Sequence, residues 1–133
     1  MSNSYSVSLQ IWHPDADPQD IIAGFGLPPK RYWKVGDQRV RPNGIPLEGR
    51  YRESYCVFDL EDGGGRELSR YLADVLTTLE SSTEFIRQLR DTGGKVSFYI
   101  IWERGDGRGD SFDVPLLSTM ARIGIDLGIQ TLF

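Results

Sequence analysis

One histidine and one cysteine, His13 and Cys56, bound the chemistry this chain can do. Structural zinc takes three or four Cys, His or carboxylate ligands, so no zinc centre is expected. A nucleophilic triad would need His13 as its base. His13 follows Trp12 at a strand end and precedes Pro14, a position that reads as solvent-facing or structurally bonded. No Gly-x-Ser-x-Gly elbow occurs, and Cys56 lies inside a strand pattern, where a thiol behaves as a small core residue. Asp15, Asp17 and Asp20, and again Asp106, Asp110 and Asp113, offer oxygens to calcium, but neither group follows the twelve-residue loop that ends in Glu. Gly63-Gly64-Gly65 precedes a helix pattern, yet Glu61 and Asp62 repel phosphate and no Lys-Ser/Thr follows, so the run reads as a linker. Gly105 to Asp110, GDGRGD, reads as turn composition. No metal, no cofactor and no catalytic set is expected, and the chain reads as non-enzymatic.

The segment that rises above this background is basic and aromatic. From Pro28 to Arg52 the cations are Lys30, Arg31, Lys34, Arg39, Arg41, Arg50 and Arg52, against Asp37 and Glu48. That is a net of +5 in a chain of net charge −4, which leaves −9 for the rest. Such asymmetry steers charged partners. Tyr32, Trp33, Tyr51 and Tyr55 lie among these cations. Trp, Tyr and Arg dominate protein interfaces, and aromatic rings between cations also suit single-stranded nucleic acid. The nine excess negatives elsewhere repel a phosphate backbone, so nucleic acid is disfavoured and an acidic protein partner is expected. The candidate contact residues are Lys30, Arg31, Tyr32, Trp33, Lys34, Arg39, Arg41, Arg50 and Arg52. The bland alternative is a core Trp33 under a loop of solvated cations.

The elements that must position these residues follow from periodicity. Tyr5, Val7, Leu9 and Ile11 alternate with Ser6, Ser8 and Gln10, a strand with one packed and one wet face. Asp17-Pro18 opens a short helix carrying Ile21, Ile22 and Phe25, which Gly26 and Pro28-Pro29 end. Lys30 to Gly49 reads as irregular, with turns at Pro42-Asn43-Gly44 and Pro46. Tyr51 to Leu60 reads as a strand, Tyr51, Tyr55 and Val57 on one face and Cys56 and Phe58 on the other. Leu68, Tyr71, Leu72, Val75, Leu76 and Leu79 form one apolar helical stripe. A second helix, capped by Ser82 or Thr83, carries Phe85, Ile86 and Leu89 and ends at Thr92-Gly93-Gly94. Val96 to Trp102 reads as a central strand, and Gly105 to Gly109 as a loose loop. Asp113 caps a helix with Pro115 in its first turn and Leu116, Leu117, Met120, Ile123 and Leu127 on its core side, closed by Gly128. Ile129, Thr131 and Phe133 suggest a last strand. This order implies an α+β fold: one domain over 1–133, a two-layer sandwich with helices on one face of a mostly antiparallel or mixed sheet.

Composition bounds the rest. At 39% hydrophobic and 26% charged, the chain is an ordinary globular one rather than a disordered one. The N-terminal MSNSYSVSLQIWH has neither the basic nor the continuous apolar part of a secretory signal. No apolar run approaches the ~20 residues of a membrane helix. A single cysteine permits no internal disulfide, so a cytoplasmic location is expected.

The strand at 5–12, the Asp17-Pro18 helix, the Gly26-Leu27-Pro28 ending and the Gly36-Asp37 that follows resemble a bacterial family called domain of unknown function 4279. The resemblance continues through the Leu68–Leu79 helix to the C-terminal helix and strand. It implies a small α+β protein and carries no reaction, ligand or functional residue with it. Proteins of this size and type often accompany toxins as immunity partners, an analogy of fold and size. The functional expectation is a cytoplasmic protein-binding module of immunity or regulatory type using segment 30–55. The alternative is a small-molecule-binding domain or small enzyme with a carboxylate/arginine cleft between sheet and long loop.

Overall fold

The computed structural model describes residues 5–61, 63–103 and 109–132. The first strand, β1 (Tyr5–His13), follows the expected alternation: Val7, Leu9, Ile11 and His13 are buried, while the residues between them are half-buried or exposed. Both of its edges are paired, because the strand sits third in a five-stranded sheet of order β2-β5-β1-β6-β7. Strand β5 (Ser54–Asp59) and strand β6 (Lys95–Glu103) flank β1 and run antiparallel to it. The short edge strand β2 (Arg31–Trp33) is antiparallel to β5, and β7 (Asp126–Leu132) is parallel to β6. The sheet is therefore mixed, and the fold is α+β.

Helices α1 (Pro18–Phe25), α2 (Leu68–Leu79), α3 (Thr83–Asp91) and α4 (Val114–Ile123) complete the layer on one face. The core joins Val7, Leu9 and Ile11 of β1 to Cys56 and Phe58 of β5 and to Val96, Phe98 and Ile100 of β6. The helices contribute Ile21, Leu72, Leu76, Ile86 and Met120, among others, to that same cluster. Helices α1 and α4 begin on local side-chain caps, whereas Ser82, at the expected start of α3, makes no cap hydrogen bond and the Thr83 hydroxyl donates back to the Glu80 carbonyl. The Asp17 side chain accepts from the Gln19 amide and the Asp113 side chain from the Leu116 amide, each relieving an orphan N–H. The first turn of α2 is served from far away: Asp110 accepts from the Ser69 amide (2.7 Å) and hydroxyl (2.8 Å).

Three expectations need correction. Residues 30–49 are not irregular: they hold β2 and a second, two-stranded sheet of β3 (Gln38–Val40) and β4 (Pro46–Arg50). Polar sequence and closely spaced prolines hid strands of three to five residues. Strand β5 begins at Ser54, so Tyr51 precedes it, although Tyr55 and Val57 do share the face opposite Cys56 and Phe58. Helix α4 stops at Gly124, in the left-handed region at φ 98°, rather than at Gly128. Leu127 continued the helical period by coincidence and packs from β7, while Leu117 is 44% exposed. Phe133 and the Gly105–Arg108 part of the expected loop lie outside the described residues.

The expected stripe on α2 is buried along its length, with Val75 half-buried at its margin and Leu72 fully enclosed. Leu72→Ala is expected to cost ~2–5 kcal/mol of stability in denaturant unfolding, through lost burial plus a cavity. A loss below about 0.5 kcal/mol would contradict this core assignment.

Candidate functional site

Strands β2 to β5 form one continuous ribbon bent in the middle. At its base β2 pairs β5, with Trp33 opposite Tyr55 and Arg31 opposite Val57. At its tip β3 pairs β4 around a tight turn, in which the Gly44 amide donates to the Arg41 carbonyl (2.8 Å) and Asn43 accepts from the Ile45 amide. Between them the amides of Gly36 and Tyr51 bond across the bend to the carbonyls of Tyr51 and Asp37 (2.9 and 3.0 Å). The ribbon is the structural form of the basic-aromatic segment, and its outer half is an arm.

The arm is tied back to the sheet face that carries no helices. Arg31, Trp33, Tyr55 and Val57 all point to that face, in register with Gln10 and Trp12 of β1. Tyr51 stacks flat on Trp33, ring centroids 4.2 Å apart and planes within 9°. Tyr55 lies against Trp33 at 4.5 Å, and Trp12 against Tyr55 at 5.2 Å. The four rings make one ladder, each contact adding on the order of 0.5–1.5 kcal/mol beyond area burial. The Tyr51 hydroxyl sits between the Val40 amide and carbonyl at 3.1 and 3.2 Å. Arg31 lies 5.0 Å over the Trp33 ring and donates to the Val40 carbonyl (3.2 Å). Tyr55 and Val57 are consequently buried on a face that no helix covers. Burial pushes the Tyr55 phenol above its ordinary range, against the opposing pull of the Arg31 guanidinium.

The nine candidate residues divide by what holds them. Arg31, Arg39 and Arg50 donate to backbone carbonyls of Val40, Glu48 and Gly36, so the ribbon fixes their positions without neutralising their charge. Lys30 pairs with Asp59 at 3.4 Å, and Lys34 approaches Asp17 at 3.9 Å. Arg41 and Arg52 are exposed, and among the described residues neither guanidinium has a partner. Trp33 is half-buried in the ladder and donates from its indole to the Glu53 carbonyl. Tyr32 points to the opposite face from Trp33 and is 48% exposed. Ile45, beside the turn, is 52% exposed. Sequence reading missed Trp12 and Gln10 as parts of the site. The signal was available, since both fall on the even positions of β1, out of phase with its core residues.

His13 and Cys56 are committed to structure. Nδ1 of His13 accepts from the amides of Asp15 (3.1 Å) and Ala16 (2.9 Å), and its Nε2–H donates to the Thr92 hydroxyl (2.7 Å). The Thr92 hydroxyl in turn donates to the Gln88 carbonyl, which fixes this tautomer. Ser54 stands opposite His13 in register, but its hydroxyl donates to the Ala16 carbonyl (2.6 Å) and accepts from the Val35 amide (3.0 Å). This polar bracket ties α3 and the β1–α1 loop to the root of the ribbon. Carboxylates and arginines do meet in an open groove between α2 and α4, lined by Arg66, Arg70, Asp74 and Asp113. There Arg66 pairs with Asp74, and Asp113 caps α4.

Three side chains give testable outcomes. Trp33→Ala is expected to free the arm, at a cost of ~1–3 kcal/mol, read as faster hydrogen exchange across residues 38–50. Tyr51→Phe removes only the Val40 bracket and is expected to cost ~0.5–1.5 kcal/mol. For Cys56, burial raises the thiol to about 11 from the ordinary 9.0. Folding thus favours the protonated thiol: this contribution to stability is complete below pH 9 and fades as pH rises through about 11. Cys56 is expected to resist iodoacetamide at about pH 8 in the native protein and to react once unfolded.

No curated protein matches the chain. A family model described as "Domain of unknown function (DUF4279)" matches residues 3–133, the span that holds the sheet, the helical layer and the ribbon. The chain therefore belongs to the DUF4279 family.

Proposed function

We propose that this protein is a non-enzymatic binding module for an acidic protein partner, of the regulatory or immunity type, with the ribbon of residues 30–52 as its contact surface. The observation that carries the reading is a pair of guanidinia with no partner among the described residues, Arg41 on the arm and Arg52 at its root, beside the Tyr51–Trp33–Tyr55 stack that locks the arm. A preorganised arm loses little conformational entropy on binding. Its composition, arginines and aromatics around an exposed Ile45, is that of interface hot spots. Base stacking is less well served, because Tyr51 and Tyr55 already occupy the indole of Trp33.

The test is affinity capture from a lysate of the source cells, with and without nuclease, using wild type and an Arg41→Glu/Arg52→Glu variant. A stoichiometric protein is expected in both wild-type captures, with affinity for the variant at least ~10-fold weaker, or about 1.4 kcal/mol, at unchanged melting temperature. Equal binding by the folded variant, or loss of the partner on nuclease treatment, would overturn the assignment.

A further inference from the structure

The two edges of the sheet are treated differently. The β2 edge is three residues long, follows Pro28-Pro29 and carries Arg31 between Lys30 and Lys34, features that discourage strand addition. The β7 edge has none of these devices. It runs seven residues, keeps unbroken register with β6 from Ser97↔Asp126 to Glu103↔Leu132, and contains no Pro, Lys or Arg. Its only charge, Asp126, stands at its start and faces Arg90 at 3.9 Å. The outer edge of β7 pairs with no strand among the described residues. Of the six large apolar side chains that are more than two-fifths exposed among those residues, four sit on α4 and β7: Val114, Leu117, Ile129 and Leu132.

We infer that β7 is a self-association edge, where a second copy of this chain adds its own β7 antiparallel across a two-fold axis. Such an interface is isologous, so the strand must complement itself. Centred on Ile129, the match sets Ile129 against its copy and Asp126 against Leu132. The two Asp126 carboxylates then lie at opposite ends, roughly 20 Å apart at ~3.4 Å per residue, beyond the screening length. A parallel match would place them side by side. An almost uncharged strand in a chain of net charge −4 carries no charge pattern to select a foreign strand, which favours a second copy over another partner. Ile129 shares the helix-covered face with Ile100, so its exposed surface extends the core across the axis. The pairing makes one ten-stranded sheet with β2 and its arm at each end. The arms are then roughly 40 Å apart, at ~4.8 Å per strand spacing.

Sedimentation equilibrium of the full chain tests this, from ~1 to ~100 µM. The mass is expected to rise from 15.0 kDa toward twice that value, with β7 amides more protected from exchange at the high concentration. Ile129→Lys, an edge lysine at a position already 43% exposed, is expected to hold the protein at the monomer mass with an unchanged circular dichroism spectrum. If that variant fails to fold, Leu132→Lys, at 41% exposed, takes its place. A wild-type monomer throughout the range overturns the inference, as does a dimer that the folded lysine variant leaves intact.

Discussion

Strand β1 must satisfy hydrogen-bonding groups along both edges while burying one face, and the rest of the fold is arranged around that demand. Its neighbours β5 and β6 each run antiparallel to it, so they run parallel to one another across it. No hairpin can join two such strands, and the chain must cross over the sheet between them. Helices α2 and α3 make that crossing and roof the apolar face on the way. A second crossing through α4 sets β7 beside β6 and closes the roof. One apolar cluster therefore serves every helix and the central strands.

The face left open by this arrangement would expose Tyr55 and Val57, and the ribbon resolves that. It leaves the sheet at β2, bends at Gly36-Asp37 and returns at β5, so its arm starts and ends at one edge of the open face. Side-chain contacts, the Tyr51–Trp33 stack and the two hydrogen bonds between the Tyr51 hydroxyl and the Val40 backbone, hold it there. The bracket of buried His13 and Ser54 with exposed Thr92 secures the root of the same ribbon from the helical side. Among the described residues no buried side-chain nitrogen or oxygen lacks a partner, as the high cost of orphan polar groups demands. The single histidine thus acts as a structural connector, with both ring nitrogens engaged.

The basic character of the ribbon has a related logic. Three arginines donate to carbonyls within the ribbon, which orders them without cancelling their charge. Exposed ion pairs such as Lys30–Asp59 contribute little stability. The positive field of the arm is therefore displayed rather than spent on internal contacts, and the aromatic ladder keeps it in one place.

Much of this was legible in the linear chain. The β1 alternation, the α2 stripe, the Asp17 and Asp113 caps and the Gly26 stop are local, because periodicity and capping depend on neighbours within a few residues. From these followed the α+β class and the placement of helices on one face, while the count of charged residues alone singled out residues 30–52. Strand order, the parallel β6–β7 pair and the fold-back of the arm were not legible, since they join residues far apart in sequence. Trp12 meets Tyr55, Asp110 caps α2 and Arg31 reaches Val40 only after the sheet has brought them together. The end of α4 shows the boundary between the two kinds of information: Leu127 fits a helical period and a strand equally, and the left-handed turn at Gly124 decides between them. Composition and spacing determined which residues were cationic, aromatic or core-facing. Tertiary structure alone decided which cations were engaged and which, like Arg41 and Arg52, have no partner among the described residues, because that depends on carbonyls and carboxylates brought near through space.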